Sequence, residues 1–211
     1  VNKSITLLNC PPSVFYAILE ETTNLNNLKS LRYVFLGGEA IVTSRLKNVI
    51  EHGLCCKIVN TYGPTECSDI TTTYLLKESD IQDNCIVPIG KPISNVQVFI
   101  LDQHMQIVPI GAKGELYIGG ISLGEGYFND PGLTAQKFIL NPFKLGKRLY
   151  RTGDIAKYLS DGNIQYLDRI DHQIKLRGYR IELGEIEVVL SKYQGIKQSV
   201  VVDKDHLDRE G

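Results

Sequence analysis

Residues 56–66 read "CKIVNTYGPTE". The run up to Tyr62 is short, largely apolar and closed by Gly63 and Pro64, which reads as a strand ending in a rigid turn. Upstream, "LRYVFLGGEA" (31–40) reads as a strand that ends in two glycines, and "ITLLNC" (5–10) as another. Helical stretches lie between them. "PPSVFYAILEE" (11–21) has proline at its first turn and apolar side chains at Val14, Ala17 and Ile18. "TSRLKNVIEHG" (43–53) opens on the cap-type Thr43 and stops at Gly53. Apolar strands alternating with helices predict a parallel sheet with helices on both faces. Ligands of such sheets gather beyond the carboxyl ends of the strands. Both "GGEA" and "NTYGPTE" lie at such ends.

From about residue 86 the pattern turns to β: "VQVFILD" (96–102), "GELYIGG" (114–120) and "DIAKYLSDGNIQYLDRID" (154–171). "SDGN" (160–163) puts Asp-Gly between two alternating runs, a strong hairpin signal. After Asp171 a helix is expected from near Gly184, with Ile186, Val189 and Leu190 on one face. The fold class expected is α/β: a parallel sheet with flanking helices, a barrel-like antiparallel region, then the start of a small α+β unit.

With 211 residues, the chain is long enough to bury a core. Its 43% hydrophobic and 22% charged residues are ordinary for a globular protein, and a net charge of -1 gives no pull toward nucleic acid or membrane. No apolar run approaches the roughly 18 residues of a spanning helix. Cys10, Cys55, Cys56, Cys67 and Cys85 show no metal-ligand spacing, and reduced thiols are expected. Both ends read as cuts in a longer protein.

Several stretches could carry chemistry. Gly63 and Pro64 hold Tyr62, Thr65 and Glu66 in one compact turn: a flat ring, a hydroxyl and a hard carboxylate suited to Mg²⁺. This set suits a purine nucleotide, and it is also ordinary turn chemistry. The small residues of "GGEA" (37–40) would let a ring approach the backbone, or simply end a strand. In "YRTGD" (150–154), Asp154 could accept from vicinal ribose hydroxyls, or be a turn aspartate. In "DRIDHQIKLRGYRIELGEIE" (168–187), Arg169, Lys175, Arg177 and Arg180 sit near three glutamates, which by itself describes a solvated charged surface.

In this order and spacing, "GGEA", "TYGPTE", "GELYIGG", "YRTGD" and "RIDHQIKLRGYRIELGEIE" resemble the successive signature motifs of the adenylate-forming superfamily. They most resemble the amino-acid adenylation domains of nonribosomal peptide synthetases, over essentially the whole chain. The resemblance implies that residues 1–170 are the C-terminal part of the large AMP-binding subdomain (1–85 a sheet layer, 86–170 barrel-like), and that 171–211 start the small one. It implies that Tyr62 stacks on adenine, Asn60 reaches the adenine edge, and Gly38, Glu39 and Ala40 line the slot. Thr65 would bind the α-phosphate and Glu66 hold Mg²⁺. Asp154 would take the ribose hydroxyls with Arg169 assisting, Asp171 would be the hinge, and Gly178 would face the thiol arm. The amino-acid pocket would include Asn9, Phe35, Gly37, Thr61, Asp69 and Ile70, and a buried Asp69 would favour a polar or cationic side chain.

The implied cofactors are ATP and Mg²⁺, with phosphopantetheine on a partner carrier domain. The implied partners are an amino-acid substrate and the peptidyl carrier and condensation domains of one cytoplasmic synthetase that makes a secondary metabolite. No nucleic-acid or membrane partner is implied. Two alternatives share the fold: an acyl- or aryl-acid CoA ligase, which a downstream carrier segment would exclude, and a non-catalytic module, which ATP binding lost on changing Asp154 would exclude. The chain departs from the family pattern at Asp168, where glycine is usual. It also lacks the upstream phosphate loop, the aspartate that grips the substrate amine and the downstream bridging lysine. These 211 residues alone are therefore expected not to support ATP–pyrophosphate exchange; measurable exchange would overturn this.

Overall fold

The computed structural model describes residues 4–21, 28–51, 53–81, 85–170, 173–176, 179–196 and 198–202. The first sheet has the order β1-β2-β3-β4-β5, with β1 Leu7–Cys10, β2 Tyr33–Gly37, β3 Lys57–Tyr62, β4 Thr72–Leu75 and β5 Lys91–Pro92. β1, β2 and β3 pair in parallel, whereas β4 and β5 run antiparallel to their neighbours. The sheet is thus mixed, and β5 joins it from beyond residue 85.

Two helices connect the parallel strands: α1 Pro12–Glu21 and α2 Thr43–Glu51. Both pack on one face, where Phe15, Tyr16 and Leu46 meet Val34, Leu36 and Ile58. The expected cover on both faces is not seen among the described residues: Leu7 and Asn9 on the other face are exposed. Right-handed crossovers that step always in one direction place successive helices on the same side. Within α1 the buried side chains are Pro12, Phe15 and Tyr16, while Val14 is 44% exposed. The Val14, Ala17, Ile18 spacing therefore picked the wrong stripe of a helix that is apolar nearly all round. Ser13 donates its backbone N–H and its hydroxyl to the two carboxylate oxygens of Glu39, each at 3.1 Å. This ties "GGEA" to the first turn of α1 and satisfies one of that turn's orphan N–H groups.

The second sheet has the order β10-β9-β7-β6, with β6 Val96–Leu101, β7 Lys113–Gly120, β9 Arg148–Tyr158 and β10 Ile164–Arg169; β8 Phe138–Leu140 also pairs with β9. Register shifts in the β7–β9 and β9–β10 ladders bend it into an antiparallel half-barrel. The hairpin expected at 160–163 joins β9 to β10. Its core is built from Ile100, Leu116, Ile118, Tyr150, Ala156 and Ile164, and it takes in Tyr62 from the end of β3 and Cys67 from the turn that follows. Burial pushes the Cys67 thiol up to about 12, so it packs as an inert hydrophobe. "YRTGD" is not a turn: it lies inside β9.

A hairpin of β11 Ile174–Leu176 and β12 Tyr179–Ile181 follows, then α4 Leu183–Ser191. The face expected for packing on α4 carries Ile186 and Val189, both exposed among the described residues. Among the described residues no helix is long and apolar enough to cross a membrane.

Candidate functional site

Tyr62 is the last residue of β3, and Asp154 lies in the middle of β9, so the two come from different sheets. The Tyr62 hydroxyl donates to Asp154 Oδ2. Arg169, the register partner of Asp154 on β10, pairs with Asp154 Oδ1 through Nη1 at 2.5 Å and donates from Nη2 to the Thr152 carbonyl at 3.2 Å. The Asp154 and Arg169 side chains are 4% and 8% exposed. A charge pair this buried is held only because each member also has hydrogen-bond partners. Arg169 is thus not part of a solvated surface run. Burial, followed by the adjacent Asp154 charge, holds the Tyr62 phenol well above its usual range, so it stays a neutral donor.

The turn after β3 is fixed by backbone packing. A Cβ on Gly63 would sit 2.2 Å from the Asp69 carbonyl oxygen, so no larger residue fits. Thr71 closes the turn by donating its N–H and hydroxyl to the Tyr62 carbonyl, at 2.8 and 2.9 Å.

Beyond the strand ends lies a cavity of about 320 Å³. Gly38, Glu39, Ala40, Asn60, Tyr62 and Arg169 line it, as does Thr61; Asp154 stands behind Tyr62 and Arg169. Some polar groups here are engaged within the protein. Asn60 Nδ2 donates to the Pro88 carbonyl at 2.8 Å, and Glu39 accepts from Ser13. The reading from sequence missed Ile41, Tyr166, Gln173 and the group Cys85, Ile86, Val87 and Ile89, which also line the cavity. Tyr166 and Arg169 are an odd number of residues apart on one strand, so simple alternation puts them on opposite faces. A register shift between Tyr166 and Asp168 brings both to the cavity. Asp168 does not take positive φ, so no glycine is required there; its carboxylate accepts from the Arg169 N–H at 2.8 Å.

A second cavity of about 270 Å³ adjoins the first and shares Gly38 and Thr61 with it. Asn9, Gly37, Thr61 and Asp69 line it together with Gly63 and Cys10. Phe35 and Ile70 do not. Phe35 stacks on Tyr33, with ring centroids 6.1 Å apart, one residue pair back along the same sheet face. Asp69 is exposed, so the expected penalty of a buried carboxylate does not arise in this chain.

Thr65 and Glu66 open the 3-10 turn Thr65–Cys67 and line neither cavity. Thr65 is exposed, while the half-buried Glu66 accepts from the Tyr127 hydroxyl at 2.7 Å. Asp171, Arg177 and Gly178 lie outside the described residues.

A family model described as "AMP-binding enzyme" matches residues 1–128. The chain belongs to the AMP-binding enzyme family. This AMP-binding chain is 47% identical to gramicidin S synthase 2 of Aneurinibacillus migulanus over 94% of its own length, and 47% identical to tyrocidine synthase 3 of Brevibacillus parabrevis over 92%. It spans 4% and 3% of those relatives. Among solved structures it superposes on an NRPS protein containing adenylation and PCP domains, bound to a vinylsulfonamide inhibitor. There the TM-score is 0.82 at 30% identity, covering 91% of this chain and 33% of that one.

Proposed function

We propose that this chain is part of an amino-acid adenylation domain in a nonribosomal peptide synthetase. The domain would activate an amino acid as aminoacyl-AMP with ATP and pass it to a phosphopantetheine thiol on a carrier domain. The observation that carries this is the junction of Tyr62 and Arg169, which line one cavity, with the buried Asp154 that binds both behind them, between a strand-end loop and the second sheet. The names of the relatives agree with it.

In this reading the Tyr62 hydroxyl is tied to Asp154 and its ring stacks on adenine in the cavity that Gly38 and Ala40 also line. Asp154 and Arg169, already paired, form a polar corner for the ribose hydroxyls. The amino acid occupies the smaller cavity between Asn9 and Asp69. Gly38 and Thr61 border both cavities, so the carboxylate and the α-phosphate meet there. A carboxylate oxygen attacks the α-phosphorus, the bond to the bridging oxygen of pyrophosphate breaks, and that oxygen leaves with its electron pair. Two anions must approach, so positioning and charge neutralisation decide the rate. Thr65 would contact the α-phosphate.

Mg²⁺ would supply the neutralising charge. The donor chemistry fits it: Glu66 offers one hard carboxylate in the turn after β3, beside the Thr65 hydroxyl. Mg²⁺ is ordinarily held by one or two carboxylates plus substrate phosphates. Residues 1–170 and 171–211 are assigned to the large and small subdomains, with Asp171 as the hinge. The peptidyl carrier and condensation domains of the same synthetase are the proposed partners, and the cytoplasm, where ATP is available, is the proposed location.

The test is ATP–pyrophosphate exchange by the whole adenylation domain with a panel of amino acids. Exchange favouring polar or cationic side chains is expected, because Asn9, Thr61 and Asp69 line the smaller cavity. A clear preference for leucine or valine overturns the pocket reading, and no amino-acid-dependent exchange overturns the function.

A further inference from the structure

Glu66 does not point freely into solvent. The segment after β7, residues 121–130, lies across the turn that carries it. Gly124 N–H donates to the Glu66 carbonyl at 2.8 Å, and the Ser68 hydroxyl donates to the Ser122 carbonyl at 3.0 Å. Tyr127, in the same segment, reaches the carboxylate itself: its hydroxyl donates to Glu66 Oε1 at 2.7 Å. That hydroxyl also lies 3.3 Å from the hydroxyl of Tyr150, which is fully buried in the half-barrel core.

Tyr127 is anchored at its other end too. Its backbone N–H donates to the Thr134 hydroxyl at 2.8 Å, and that hydroxyl donates to the Asp130 carbonyl at 2.7 Å. Thr134 belongs to α3, Pro131–Lys137, which Asp130 caps by accepting from the Leu133 N–H at 2.8 Å. The Tyr127 ring packs edge-on against Phe138, with centroids 5.8 Å apart. A short helix, a core aromatic and a buried tyrosine therefore hold one phenol in place, and that phenol holds one carboxylate.

We propose that Tyr127 is a positioning residue: its hydroxyl orients the Glu66 carboxylate toward the cation that accompanies the nucleotide phosphates. This rests on the reading that Glu66 serves Mg²⁺. Hydrogen-bond partners of a metal-binding carboxylate fix its orientation, and removing one typically weakens metal affinity roughly 10- to 100-fold. Phenylalanine keeps the packing on Phe138 and removes the hydroxyl, and with it the bond to Glu66 and the contact to Tyr150.

The experiment uses the whole adenylation domain in wild-type, Tyr127→Phe, Thr134→Val and Glu66→Gln forms. Two quantities are measured: the Mg²⁺ concentration for half-maximal ATP–pyrophosphate exchange, and the rise in thermal midpoint when Mg²⁺ is added to protein already holding ATP. Tyr127→Phe is expected to raise the half-saturating Mg²⁺ concentration by roughly tenfold or more and to shrink the Mg²⁺-dependent thermal rise. The ATP requirement at saturating Mg²⁺ stays near wild type. Thr134→Val, which loosens the backbone of Tyr127 and leaves its hydroxyl, should fall between the two. If Glu66→Gln changes the Mg²⁺ requirement while Tyr127→Phe leaves it at the wild-type value, the positioning role is refuted and the Glu66 reading survives. If Glu66→Gln also leaves both quantities unchanged, the Glu66 reading fails and takes the inference with it.

Discussion

Asp154→Ala is expected to destabilise the fold by about 3–5 kcal/mol, the usual cost of stranding one member of a buried ion pair. Asp154 accepts from the Tyr62 hydroxyl and pairs with Arg169 Nη1 at 2.5 Å, and both charged side chains are nearly sealed from solvent. Removing the carboxylate takes away the anion that neutralises the buried Arg169 guanidinium and the bond it makes with the Tyr62 hydroxyl. Urea denaturation gives the magnitude. The double variant Asp154→Ala with Arg169→Met is expected to be less damaged than Asp154→Ala alone, since it removes the stranded charge along with its partner. A single-variant loss below about 1 kcal/mol would show that the pair is solvated. In the whole adenylation domain Asp154→Ala should also abolish exchange, because the ribose corner is gone.

Gly90→Ala is expected to cost about 2–6 kcal/mol, the sum of a left-handed backbone and an overpacked contact. Gly90 has φ +87, and a Cβ there would lie 1.9 Å from the Thr73 carbonyl oxygen and 2.3 Å from its carbon. Both are backbone atoms of β4 and have no side-chain rotamer through which to yield. The position matters because Gly90 stitches the two sheets: the Ile164 N–H donates to its carbonyl at 2.8 Å, beside the bond from Ile89 N–H to the Ile164 carbonyl. Tyr62 and Asp154 belong to opposite sides of that seam. The thermal midpoint should fall by roughly 5–20 °C, and the Tyr62 environment should loosen with it. A shift under about 2 °C would mean that β4 can recede, and the seam would then be softer than its geometry implies.

Much of the site was readable in order along the chain. The run "CKIVNTYGPTE" reads as a strand closed by a stiff turn, and the close approach of the Asp69 backbone requires Gly63 there. "GGEA" was placed at a strand end, and the structure puts Gly38, Glu39 and Ala40 on the same cavity as Tyr62. Other readings went astray where local pattern and tertiary contact disagree. "YRTGD" looks like a turn because it holds glycine and aspartate, yet ladder hydrogen bonds on both sides keep it extended in β9. Asp69 lines the smaller cavity as expected, and in this chain its carboxylate is exposed. Nothing in an alternating strand marks Tyr166, and only the register shift after it brings it to the same cavity as Arg169.

While it left β4, β5, α3 and β8 unmarked, sequence by itself determined the alternation of the first three strands with two helices, the turn chemistry at Gly63 and Pro64, and the set of motifs that resembles the family. These depend on backbone preferences and on spacing, which act over a few residues and are written locally. Only the tertiary structure decided that both helices share one face, that Glu39 caps α1 through Ser13, that Tyr127 holds Glu66, and that Tyr62 meets Asp154 and Arg169. Those pairings join residues far apart in the chain, and their strength comes from burial and hydrogen-bond geometry that exist only once the two sheets have come together.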